Sequence, residues 1–97
     1  MIAFATIGRF FDEEMVVSVG TTRAEALDLA DKFHTDRRGD WDADADREKW
    51  LDSLEILELR GDLSTIRRLI DISVYGVETT ATASICRELN PYAKQEP

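Results

Sequence analysis

Cysteine, histidine and proline are scarce in this chain: one Cys, one His and two Pro among 97 residues. A lone Cys86 cannot form an intramolecular disulfide and excludes a zinc site built on cysteines. A single histidine, His34, rules out a His-x-x-x-His pair. There is no Gly-rich phosphate loop and no Gly-x-Ser-x-Gly elbow. The chain begins Met1-Ile2-Ala3-Phe4 with no basic stretch, and no apolar run approaches the ~18 residues of a membrane span. Neither a signal peptide nor a membrane span is expected, and a reducing cytoplasm is the expected compartment. These residues assemble no catalytic constellation, so no enzyme, metal or cofactor is expected.

What is present is charge of one sign. Twenty Asp and Glu stand against twelve Lys and Arg, giving a net charge of −8 and a pI near 4.5. Such a field repels nucleic acid and anionic membranes and attracts basic partners. The apolar fraction of 43% is that of a globular chain. The length suits one domain, expected over residues 1–90, with 91–97 as a frayed tail.

The expected fold class is α+β. Residues 1–11 and 15–20 are β-prone runs around Asp12-Glu13-Glu14, which reads as a hairpin. Thr22 followed by Glu25 makes a capping box, and Ala26, Leu27, Ala30 and Phe33 recur at helical spacing behind it. This helix should pack on the hairpin as a ββα unit. A helical C-terminal half of two to three helices should follow. Asp46 caps a second helix, with Trp50, Leu51, Leu54 and Leu57 on one face. The alternation Leu54-Glu55-Ile56 is the competing strand reading; the periodicity that starts at Trp50 favours helix. Gly61 reads as a helix stop and Asp62 as an N-cap for a helix through Leu63, Ile66, Leu69 and Ile70. Residues 70–83 fit strand or helix, and a last helix through Ala81, Ile85 and Leu89 should end before Pro91.

The polar connection from His34 to Asp46 is long for a compact domain. Asp36, Asp40, Asp42, Asp44, Asp46 and Glu48 there outnumber Arg37, Arg38 and Arg47, and Trp41 stands among the carboxylates without an apolar neighbour. Alternate aspartates resemble the start of a calcium loop. Counting from Asp42, however, Arg47 occupies the glycine position and Ser53 the glutamate position, so no metal is expected. In an extended segment, side chains two apart lie ~6.6 Å apart on one side, a pitch at which carboxylates can present the charge pattern of a nucleic-acid backbone. Trp41 can add an aromatic anchor. Neighbouring carboxylates repel one another, so a charge serving solubility alone would be spread out. Asp36, Asp40, Trp41, Asp42, Asp44, Asp46 and Glu48 are therefore the candidate partner-binding residues.

Residues 57–70 resemble a helix-turn-helix DNA reader, with a turn glycine followed by Ser64-Thr65-Ile66-Arg67-Arg68. That resemblance implies a DNA-binding regulator; the negative field opposes it. His34 reads as a cation at a helix C-terminus. Cys86 reads as a small buried apolar group, against the alternative of a thiol activated by Arg87. Ile56, Leu59, Ile72 and Tyr75 fall outside the helix faces and could pair two copies as a homodimer.

The expected function is a non-catalytic acidic module that binds a basic protein, such as a nuclease or nucleic-acid-binding complex. It would contact no nucleic acid or membrane directly. Small acidic domains of this kind include immunity proteins, antitoxins and phage-encoded, DNA-mimicking or anti-CRISPR-like inhibitors of host defence. Size, charge and the missing catalytic residues carry that comparison. A DNA-binding regulator is the alternative and a small enzyme the third reading.

Overall fold

From Ile2 to Gly8 of the segment Ile2–Phe10 the odd and even positions are both apolar or small, as suits a strand covered on both faces. The computed structural model describes residues 1–10, 13–36, 47–74 and 80–91, and there this segment is strand β1. It pairs antiparallel with β2 (Glu13–Gly20) on one side and with β3 (Glu55–Arg60) on the other, so the sheet order is β2-β1-β3. Four helices complete the described fold: α1 (Arg23–Asp36), α2 (Arg47–Ser53), α3 (Leu63–Val74) and α4 (Thr80–Leu89). The α+β class and the packed hairpin stand as the sequence indicates.

One expectation is corrected. The helix starting upstream of Trp50 stops at Ser53 and does not run on through Leu57 and Leu59. Two hydrogen bonds end it: the Ser53 hydroxyl donates to the Trp50 carbonyl at 2.6 Å, and the Leu54 amide donates to the Leu51 carbonyl at 3.2 Å. The chain then extends, and residues Glu55 to Arg60 match residues Ile7 to Ile2 of β1. Leu57 and Leu59 alternate into the core, and Leu59, assigned above to a possible dimer surface, has no exposed area. Residues with good helical propensity form a strand because β1 would otherwise leave a row of buried backbone groups unpaired. For the same reason residues 57–70 are strand, turn and helix, not helix-turn-helix, and Gly61 follows a strand. Residues 70–74 continue α3.

Each sheet face has its own cover. Ala3, Ala5 and Ile7 point to one side with Val16, Val19, Leu57 and Leu59, where Ile66 and Leu69 of α3 and Ala83 and Cys86 of α4 close over them. A β-bulge in β2 shapes the other side. Thr6 pairs with Ser18 and Ile7 with Val16, so Val17 is the extra residue. Val17 and Ser18 thereby share the α1 face, while Val16 and Val19 serve the α3–α4 face. The buried Ala26 and Ala30, one turn apart on α1, let that helix come close to the sheet. Gly20 serves the same approach, since a Cβ there would lie 2.8 Å from the Ala26 nitrogen.

A buried hydroxyl chain joins α1 to the sheet. Ser18 donates to the Ala26 carbonyl at 2.6 Å, so its single proton is used, and Thr6, 2.7 Å away, donates to Ser18. Both side chains are buried. At the helix start the Thr22 hydroxyl accepts from the Glu25 amide at 3.1 Å, while the Glu25 carboxylate accepts from the amide and hydroxyl of Thr21. The capping box is therefore formed, with its return bond to Thr21.

The direction of the hydroxyl chain makes the two ends unequal. Ser18→Ala strands the Thr6 proton and should cost about 1–3 kcal/mol, whereas Thr6→Val leaves the Ser18–Ala26 bond intact and should cost under about 1 kcal/mol. The double variant should resemble Thr6→Val, because neither buried hydroxyl is then left unpaired. Urea unfolding of the three variants measures this; equal costs, or the reverse order, would contradict the assigned direction.

Candidate functional site

The acidic connection leaves α1 and returns at α2. Asp36 is the last residue of α1 and Glu48 the second of α2, and both are exposed. Asp40, Trp41, Asp42, Asp44 and Asp46, including the cap proposed at Asp46, lie outside the described residues. The structure does show how the two ends of this connection are held.

Arg47 opens α2 and donates through Nε and Nη2 to the two carboxylate oxygens of Asp31 on α1. This two-pronged geometry fixes direction as well as distance. The hydrogen bonds from Arg47, with its charge, hold the Asp31 carboxyl below its ordinary range. Beside this pair Trp50 of α2 packs on α1. Its ring stacks on Phe33 with centroids 6.1 Å apart and tilts against His34 at 4.9 Å. Trp50, Leu51 and Leu54 thus form a second apolar cluster with Met15, Val17, Ala30 and Phe33. His34 lies in the last turn of α1, as the sequence indicates, and is buried against Trp50. At seven residues α2 is too short to persist alone, so the Arg47 pair and the Trp50 stack hold it.

Sequence reading did not find the Asp31–Arg47 clamp. The partners are sixteen residues apart, beyond any helical spacing. One signal exists: an arginine at the first position of a helix opposes the macrodipole and invites a search for a compensating carboxylate.

Elsewhere charge is spent on structure. Arg87 of α4 donates to Glu14 of β2 at 2.7 and 2.9 Å and to Glu55 of β3 at 2.9 and 3.3 Å. It ties the two outer strands across β1, and its hydrogen bonds to the Glu55 and Glu14 carboxylates raise its pKa further. Asp62 caps α3 as expected, accepting from the Thr65 amide at 2.8 Å and hydroxyl at 3.0 Å, which lowers its pKa. Arg87 is therefore committed to carboxylates and does not activate Cys86. The Cys86 thiol is fully buried, and burial pushes its pKa up to about 12. Among the described residues no group of three or more His, Cys, Asp and Glu is placed to hold a metal, and no described helix is long and apolar enough to cross a membrane.

No family model, curated protein or solved structure matches this chain.

The buried thiol sets a pH dependence. An unfolded cysteine ionises near 9.0, whereas folded Cys86 keeps its proton to about 12. Between these values the unfolded state binds fewer protons, so the stabilisation present below pH 9.0 is lost as pH rises. By about pH 10 the stability gap between the native protein and Cys86→Ala should narrow by about 1.4 kcal/mol, as read by urea unfolding at pH 8 and 10. A constant gap, or fast reaction of the native thiol with a disulfide reagent at pH 8, would contradict a buried, protonated Cys86.

Proposed function

We propose that this protein is a non-catalytic binding module that offers the acidic connection between α1 and α2 to a basic protein surface. The observation that carries the reading is the Asp31–Arg47 pair. Arg47 stands between Asp46 and Glu48 in the chain, yet its guanidinium is turned to α1. Nε and Nη2 of Arg47 are therefore engaged by Asp31. The clamp and the Trp50 stack also fix both ends of the acidic stretch on the sheet scaffold. Holding the ends lowers the ordering cost on binding, and clustered charge raises the rate of encounter with an oppositely charged partner.

The buried, protonated Cys86 and the commitment of Arg87 to structure favour this reading over nucleophilic chemistry at that thiol. The strand at residues 55–60 removes the first helix of the DNA-reader resemblance, which leaves the acidic surface as the better-supported interface. An inhibitor that occupies a nucleic-acid channel is the sharpest version, with a row of carboxylates standing in for phosphates and Trp41 as an anchor.

The test replaces Asp40, Asp42 and Asp44 by Asn together. Thermal unfolding should be unchanged or slightly raised, because like-charge repulsion falls. The partner is first captured on the native protein and identified by mass, and it should be basic. Its association rate with the triple variant should fall by about tenfold or more at low salt, with a flatter salt dependence. Unchanged affinity and salt dependence would place the interface elsewhere.

A further inference from the structure

The sheet face opposite α1 has a different character. The outer sides of α3 and α4 enclose a groove of about 310 Å³ with Leu69 in its floor and Arg68, Ile72 and Ile85 at its rim. Two large apolar side chains on these helices stand out in solvent, Leu63 at 51% exposure and Ile85 at 42%. Arg67, Arg68 and Asp71 on α3 and Glu88 on α4 are also exposed, and none makes an ion pair with the described residues. Among these described groups without an ion pair the two cations and two carboxylates balance, on a chain whose net charge is −8.

We infer that this face is where a second copy of the chain docks. Two copies of an acidic protein repel one another over most of their surface, and a face with charges of both signs and exposed apolar groups is where they can meet at least cost. The pattern is self-complementary. Arg68 and Asp71 are three residues apart and share one side of α3 with Ser64 and Ile72. Two copies of α3 packed antiparallel about a two-fold axis bring Arg68 of each against Asp71 of the other, because contacts across such an axis occur in reciprocal pairs. The groove beside them receives an apolar side chain of the second copy. Helices about 15–18 Å long and about 8–10 Å apart offer an area at the small end of specific interfaces, so the dimer forms and dissociates with concentration in the micromolar range. This association is proposed through α3 and α4 and does not rest on the proposed function of the acidic connection.

Charge exchange tests it on the intact chain, by sedimentation velocity from about 10 μM to 1 mM. The native protein should pass from monomer to dimer. Arg68→Asp alone sets carboxylates against carboxylates, and Asp71→Arg alone sets cations against cations. Each should weaken the dimer by about tenfold or more. An equimolar mixture restores both pairs and should form a heterodimer of near-native affinity. Thermal unfolding should show both variants folded, since both positions are exposed. A native protein that stays monomeric at the highest concentration would overturn the inference. So would variants that dimerise like the native chain, or a mixture that associates no better than its components.

Discussion

Everything in this fold leans on β1. From Phe4 to Ile7 it is paired along both edges, and helices cover both faces, so residues there must satisfy a packing and a pairing requirement together. Ala3, Ala5 and Ile7 meet α3 and α4, while Thr6 meets Ser18 beneath α1. Small side chains are needed there because helices approach from both sides. The pairing with β3 closes the sheet over a sequence separation of about fifty residues, and it turns a stretch with helical propensity into a strand.

The two sides of the sheet then become two different surfaces. The Val17 bulge makes this possible by sending Val17 and Ser18 together to α1 while leaving Val16 and Val19 for the other side. On the α1 side a short helix is held by one ion pair and one aromatic stack, and the acidic connection begins and ends there. On the other side α3 and α4 present exposed charges of both signs, Arg67, Arg68, Asp71 and Glu88. Arg87 ties β2 to β3 from α4, so the cover on that side also holds the outer strands together.

Much of this was legible from residue order. The hairpin, the capping box at Thr22 and Glu25, the Asp62 cap, the last helix and the buried cysteine each follow from local chemistry. The misassigned element, β3, was lost to a real conflict: Trp50, Leu51 and Leu54 do lie on a helical face, and only pairing with a distant strand overrides its continuation. Its period-2 burial was visible in Leu57 and Leu59 and could equally have been the edge of a helix face. The acidic cluster was plain in the sequence. The Asp31–Arg47 clamp was not, because partners so far apart meet only after α2 has docked on α1.

The central claim is that a cooperative sheet built on β1 carries α2 as a separately attached unit. Native-state amide hydrogen exchange tests it most directly. Amides of β1 and β3 should share the slowest class and open only with global unfolding, while α2 amides should exchange through a smaller local opening. Arg47→Ala should speed exchange in α2 and leave β1 unchanged. If α2 and β1 exchange together in both proteins, or β3 exchanges in the fast class with α2, that division of the molecule is wrong.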